Sequence, residues 1–155
     1  MNNIDRRNFM LLGAAAAAAA TIVTRPSLAL AAGWDDHMAR LTGILPDAGL
    51  FGHDGLKWAG PATFRPETAV VKSIVAGFTD ATSLRASGPT LFGKKYMITR
   101  ADDKFIFGKK GPAGFGAHKT LKTVVICTFD EEKITPGNVR IAVEKFGVYL
   151  HSIGY

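Results

Sequence analysis

Few side chains in this 155-residue sequence have the type and spacing that catalysis or metal binding needs. The single cysteine, Cys127, lies in the apolar run 124–127, which predicts a buried small hydrophobic residue rather than a nucleophile. Asp102 and Asp103 fall at a predicted strand break, where paired carboxylates are typical of a turn. The histidines lack the close spacing of metal ligands; they are His37, His53, His118 and His151. We therefore expect no catalytic residues, no metal site and no cofactor.

The positive charge of the chain raises the question of an anionic ligand. The sequence has 19 Lys and Arg against 13 Asp and Glu, a formal net charge of +6. Residues 108–114 combine glycines with two lysines, but they lack the Gly-Lys-Ser/Thr ending and the strand-to-helix context of a nucleotide loop. We interpret this segment as a glycine-rich hairpin turn. The charge density is too low to indicate a nucleic-acid-binding protein.

The first 32 residues have the features of an export signal rather than of a folded element. Arg6 and Arg7 are followed by Phe9 and by an alanine run at residues 14–20. This pattern resembles a twin-arginine (Tat) signal of bacteria, with cleavage after Ala31 or Ala32 at a small-x-small site. The alternative is an alanine-rich helix that remains attached. We expect a protein exported by the Tat route to the periplasm or medium, with one domain over residues 33–155 and no membrane span in the mature chain.

Hydrophobic periodicity predicts an α+β domain built on an antiparallel sheet. A short helix is expected at residues 34–42, a hairpin around Asp54-Gly55, and a second helix that begins at Pro66. Four closely spaced strands follow, at residues 90–100, 105–109, 115–120 and 123–129, with turns that favour an antiparallel meander. Thr135-Pro136 then provides the cap and first turn of a C-terminal helix.

Five segments, in order and near the expected spacing, resemble the profilin family. They are more similar to plant and amoebal profilins than to animal ones. They are Gly52-His53-Asp54-Gly55 with Trp58-Ala59, Lys95-Tyr96-Met97, Gly108-Lys109-Lys110-Gly111 with Gly114, Ile134-Thr135-Pro136-Gly137, and Glu144-Lys145-Phe146 with Tyr149-Leu150. The resemblance implies a central antiparallel sheet with the N- and C-terminal helices on one face and a shorter helix on the other. It also implies a binding protein, not an enzyme, whose partners are actin monomers, proline-rich segments and phosphoinositide head groups.

The resemblance assigns the poly-proline site to an aromatic groove between the terminal helices, formed by Trp34, Trp58, Tyr149 and Tyr155. Two registers remain open for Trp34. It is either the first tryptophan of the family, in which case His37 replaces a family tyrosine, or it is that tyrosine itself, in which case the first tryptophan is missing.

The same resemblance places actin contacts on the C-terminal helix and the adjoining strands, at Arg100, Lys110, Lys119, Thr135, Gly137, Arg140, Ile141 and Lys145. A weaker implied site for phosphoinositides consists of Lys94, Lys95, Lys109 and Lys122. Two other hypotheses remain: a profilin fold reused for an envelope or extracellular bacterial partner without actin binding, and an exported cofactor or metal protein. The latter is suggested by the Tat-type signal alone.

Overall fold

A computed structural model describes the backbone of residues 26–155 and the side chains from Gly33 onward. The twin arginines and the alanine run of the predicted export signal lie outside the described residues. Trp34–Tyr155 forms one compact unit.

Four helices and eight strands occur in the described residues. In chain order they are α1 (Pro26–Thr42), β1 (Ala48–Gly52), β2 (Lys57–Ala59), α2 (Thr68–Gly77), α3 (Thr82–Ser87), β3 (Thr90–Leu91), β4 (Lys94–Lys95), β5 (Met97–Ala101), β6 (Phe105–Lys110), β7 (Ala113–Lys119), β8 (Thr123–Asp130) and α4 (Pro136–Ser152).

A six-stranded antiparallel sheet forms the centre of the unit, in the order β2-β1-β8-β7-β6-β5, and β3 pairs with β4 in a separate hairpin. Successive residues of β8 alternate between the two faces of the sheet, as the pleat requires. Val125 and Cys127 therefore join one hydrophobic core, whereas Val124 and Ile126 join another. All four side chains are fully buried, because both faces of the sheet are covered by helices.

The two cores divide the helices between the two faces. On one face, Trp34, Met38 and Leu41 of α1 pack with Val139, Val143, Phe146 and Leu150 of α4. On the other face, Val71 and Ile74 of α2 pack with Leu84 of α3. The expected placement of the terminal helices together on one face is confirmed, and α3 is an element that the sequence did not predict.

The predicted strand at residues 90–100 is wrong as one element, because the chain turns sharply inside it. Phe92 and Gly93, with φ of 53° and 76°, form the two-residue turn of the β3–β4 hairpin. Positive φ at both positions matches the twist of the flanking strands. Phenylalanine is unusual there, so the residue types gave no turn signal.

Three further boundaries differ from the prediction. Helix α1 begins at Pro26 rather than at residue 34. Helix α2 begins at Thr68 rather than Pro66, because Glu67 keeps an extended backbone as its N-cap (φ −62°, ψ 140°). The hairpin turn predicted at residues 108–114 is shorter in the structure, at Gly111-Pro112, since Gly108 lies inside β6 and Gly114 inside β7. The ring of Phe115 packs over Gly108, where any Cβ would overlap it. That glycine serves close cross-strand packing instead of a turn.

Candidate functional site

A cluster of aromatic rings lies beside the terminal helices, and we refer to its five members as the aromatic groove: Trp34, His37, Trp58, Tyr149 and Tyr155. The Trp34 ring lies 5.5 Å from Trp58 and 4.7 Å from Tyr155, centroid to centroid, and Tyr155 meets both indoles edge to face. Such tilted contacts are favourable for aromatic pairs. Three segments far apart in sequence thus supply one continuous aromatic surface.

Each ring is held by the element that carries it. Trp34 follows helical spacing with Met38 and Leu41, so its ring turns inward and is only 3% exposed. Trp58 lies on edge strand β2 and stays half-buried. Tyr155 is fixed by two backbone hydrogen bonds: its N–H donates to the Leu150 carbonyl (2.8 Å) and its carbonyl accepts from the Lys122 N–H (3.2 Å). Contacts within the chain therefore position the side chains of the groove without a bound ligand.

His37 extends the groove toward Tyr149. Its ring centroid is 5.2 Å from that of Trp34 and 5.6 Å from that of Tyr149, and its Nδ1 shares a hydrogen bond with the Tyr149 hydroxyl. The guanidinium of Arg40 lies 4.3 Å from the Tyr149 ring centroid. His37 was expected in the site only under the first register of Trp34, and the structure places it one helical turn after Trp34, inside the cluster.

The groove also contains a hydrogen-bond donor without a partner. The indole Nε1 of Trp34 is buried and makes no hydrogen bond to the described residues. A buried polar group that stays unpaired is costly, so such groups are uncommon in folded proteins. The indole N–H of Trp34 is thus an unpaired donor beneath the exposed ring faces of the groove.

The residues expected to contact actin form one continuous set on α4 and a scattered set on the strands. Gly137, Ile141 and Lys145 are exposed on the outer face of α4, with Ile141 52% exposed. Thr135 caps the helix by accepting from the Asn138 N–H (3.3 Å). Arg140 is half-buried, and its guanidinium lies 5.0 Å from the ring centroid of Phe105. Gly137, Ile141 and Lys145 are thus better placed to contact a partner than Thr135, which caps the helix, or Arg140, which is half-buried.

The strand residues of that set are not close to one another. Lys110 and Lys119 lie at opposite ends of the β6–β7 hairpin, since Lys110 pairs with Ala113 and Lys119 ends β7. Arg100 on β5 binds Asp102 through two hydrogen bonds, of 3.2 Å and 3.1 Å. Sequence reasoning could not detect this separation, because it depends on the register of the hairpin.

The four lysines of the weaker implied site also divide. Lys94 and Lys95 are exposed on β4, and Lys109 makes an ion pair with Glu131 at 2.9 Å. Lys122 lies instead at the aromatic groove, with its Nζ 5.0 Å from the Tyr155 ring centroid. Lys109 lies on the central sheet, Lys94 and Lys95 lie on the separate β3–β4 hairpin, and Lys122 lies at the groove, so the four lysines do not form one site.

Cys127 is fully buried, and burial raises the pKa of its thiol to about 12. A thiol with that pKa is protonated at neutral pH, so it is a poor nucleophile.

Among residues 33–155, no cluster of three or more His, Cys, Asp or Glu side chains could hold a metal ion. Within the described part of the chain, every helix is too short or too polar to cross a membrane.

His118 is a buried titratable group that the sequence did not single out. Its ring stacks on Phe105 with a centroid distance of 4.4 Å, and its Nδ1 lies 3.0 Å from the Lys104 carbonyl oxygen. Gly147 of α4 lies against the ring, and a Cβ there would overlap it. Burial lowers the pKa of His118, and the hydrogen bond to Lys104 and the charge of Glu144 offset only part of that effect.

The lowered pKa of His118 predicts a loss of stability in mild acid. Between pH 7 and pH 5 the unfolded chain binds a proton at this histidine more readily than the folded chain, so the free energy of unfolding falls as the pH falls. We expect the decline to be smaller in His118→Gln than in the wild type. Urea denaturation at several pH values measures the decline in the wild type and in His118→Gln. Equal declines in wild type and His118→Gln would refute the assignment.

Comparison with known proteins gives a consistent result. The family model described as Profilin matches residues 32–155. Profilin-2 of Acanthamoeba castellanii is 40% identical over 114 residues, which cover 74% of this chain and 90% of that protein. The solved structure of Acanthamoeba castellanii profilin IA has a TM-score of 0.72 at 36% identity, and the match covers 79% of this chain and 99% of that one.

A more distant solved structure shares the fold alone. Mouse profilin IIa, in complex with a double repeat from the FH1 domain of mDia1, is 20% identical with a TM-score of 0.58. The match covers 78% of this chain and 95% of that one.

Proposed function

Since this chain belongs to the profilin family, we propose that it binds proline-rich segments through the aromatic groove and actin monomers through the outer face of α4. It is a binding protein, not an enzyme. The observation that carries the proposal is the convergence of three half-exposed aromatic rings and one histidine with the buried Trp34 ring.

A polyproline II ligand fits the chemistry of this groove. Proline has no backbone N–H, so a proline-rich segment presents flat apolar rings and carbonyl acceptors that need donors. The half-exposed rings of Trp58, Tyr149 and Tyr155 can pack against the proline rings, with the buried Trp34 ring supporting them from beneath. The hydrogen bond between His37 and Tyr149 supports the register in which Trp34 is the first family tryptophan and His37 replaces a tyrosine.

The proposal for actin rests on the exposed face of α4 and on the relatives. Ile141 offers an exposed apolar contact with Lys145 one turn away, and positive side chains speed encounter with an acidic partner. The profilin relatives at 36–40% identity support the assignment of this partner. The lysines give little support to a phosphoinositide site, because Lys109 is paired with Glu131 and Lys122 lies at the groove.

Export remains part of the proposal. The twin-arginine pattern supports a protein that acts in the periplasm or outside a bacterial cell, on proline-rich proteins or actin of a host. Changing Arg6 and Arg7 to lysine should leave the precursor in the cytoplasm, and normal export of that double variant would reject the Tat route. The alternative is a profilin fold that serves an envelope or extracellular bacterial partner without binding actin.

Titration of the purified chain with poly-L-proline tests the groove. The sequence has two tryptophans, Trp34 and Trp58, and both lie in the groove, so their fluorescence reports directly on its occupancy. We expect a saturable change at millimolar proline residues or below, and slower polymerisation of actin when the protein is added. Poly-proline binding without an effect on actin would favour the alternative partner, and binding to neither ligand would reject the proposal.

A further inference from the structure

We infer that the aromatic groove prefers proline-rich segments that carry acidic residues on both sides of the proline run. This inference rests on the proposed poly-proline function and names the ligand class more narrowly. The observation that carries it is a pair of cations, Arg40 and Lys122, each stacked on the ring at one end of the groove.

Arg40 marks the first end. It lies in the last turn of α1, is exposed, and holds its guanidinium 4.3 Å from the centroid of the Tyr149 ring. Cation–π contact and planar stacking keep an arginine in place while its N–H groups still face outward. A guanidinium fixed in this way pairs well with a carboxylate, because less side-chain freedom is lost on binding.

Lys122 marks the other end. Its Nζ lies 5.0 Å from the Tyr155 ring centroid, and its backbone N–H donates to the Tyr155 carbonyl. The ammonium is therefore tied to the same C-terminal residue that packs against Trp34 and Trp58. The alkyl stem covers apolar surface and the charged head stays in water, which is the usual arrangement for lysine.

Both cations remain available for a ligand. Within residues 33–155, the ion pairs are Arg100–Asp102 and Lys109–Glu131, so neither the Arg40 guanidinium nor the Lys122 ammonium has a side-chain carboxylate oxygen within 4.0 Å. Asp36, four residues before Arg40, makes no such pair. Asp35 accepts a hydrogen bond from the Gly60 N–H at 3.3 Å, beside strand β2.

The length of the groove places the ligand's flanks near these charges. From Tyr155 through Trp34 and His37 to Tyr149, neighbouring ring centroids are 4.7–5.6 Å apart. Polyproline II rises ~3.1 Å per residue, so a run of at most about five residues spans the rings. Residues just outside such a run come within reach of Arg40 on one side and Lys122 on the other.

Matched peptides on the full chain test this specificity. Each has six prolines, flanked on both sides by two glutamates, two serines or two lysines, and tryptophan fluorescence gives the Kd. In low salt we expect the glutamate peptide to bind about fivefold more tightly than the serine peptide, with the lysine peptide weakest, because exposed ion pairs each contribute modestly. The differences should shrink at ~0.5 M salt, where the Debye length falls below ~5 Å.

Two single variants then test which cation pairs with which end of the peptide. Arg40→Gln should reduce the preference for acid at one end of the peptide only, and Lys122→Gln at the other, as peptides with glutamates on a single side will show. Lys72→Gln, an exposed lysine on α2 across the sheet, removes the same charge and should leave the ranking unchanged.

Equal Kd values for the three peptides, or a preference that survives in the Arg40→Gln/Lys122→Gln double variant, would overturn the inference while leaving poly-proline binding intact. Failure of even the serine peptide and of poly-L-proline to bind would overturn the proposed function, and this inference with it.

Discussion

Replacing Trp58 with alanine is expected to weaken poly-L-proline binding at least tenfold. Trp58 lies half-exposed on edge strand β2, with its ring 5.5 Å from Trp34 and 6.1 Å from Tyr155. Truncating an aromatic residue at the centre of a binding surface commonly costs ~2 kcal/mol or more, and 1.4 kcal/mol is a factor of about ten in Kd. The remaining tryptophan, Trp34, still reports on the groove, so the same fluorescence titration measures the loss.

A matched control separates this effect from damage to the hairpin. Leu56 lies in the same β1–β2 hairpin, is exposed and belongs to neither hydrophobic core. Leu56→Ala should bind poly-L-proline with an affinity within about twofold of wild type. Circular dichroism should show the fold intact in both variants. Unchanged affinity in Trp58→Ala would mean that the ligand does not occupy the aromatic groove.

The largest effect on stability is expected from Phe115→Ala. Phe115 is 0% exposed, packs over Gly108 and meets the Tyr96 ring edge to face at 5.2 Å. Removing a buried phenylalanine leaves a cavity and costs ~3–5 kcal/mol, a large share of the ~5–15 kcal/mol that holds a domain folded. Urea denaturation followed by circular dichroism gives the change in the free energy of unfolding.

Phe115 also tests whether the two cores are separate. It packs on the sheet face that carries α2 and α3, whereas the aromatic groove lies on the face that carries the terminal helices. The folded fraction of Phe115→Ala should therefore keep its affinity for poly-L-proline at low temperature. The control is Phe92→Ala, which is 48% exposed and should lose less than about 1.5 kcal/mol. Equal losses in the two variants would contradict the assignment of the second core.

Local patterns were the features that the sequence predicted well. The Asp54-Gly55 hairpin and the C-terminal helix after Thr135-Pro136 both appear in the structure. They depend on turn chemistry, capping and helical spacing, which involve residues only a few positions apart. The predictions failed where a local signal misled, as at Phe92, because a large aromatic residue occupies a turn position that usually takes glycine or asparagine.

The resemblance identified the aromatic residues of the groove, but it did not predict the contacts between them. His37 and Tyr149 are separated by 112 positions, and their hydrogen bond exists because α1 and α4 pack side by side on one face of the sheet. The placement of Arg40 over the Tyr149 ring follows from the same packing, whereas Lys122 reaches Tyr155 because the β7–β8 turn contacts the C-terminal residue.

The sequence by itself determined the α+β class and the two terminal helices, and the resemblance to a known family added the aromatic residues available for a ligand. Only the tertiary structure decided that Trp34 keeps an unpaired N–H, that Lys110 and Lys119 lie far apart, and that His118 is buried behind Gly147. The physical reason is the separation in sequence between the residues that interact. Periodicity and capping act within one element, whereas burial, ring contacts and charge placement depend on strand register and helix packing between segments remote in the chain.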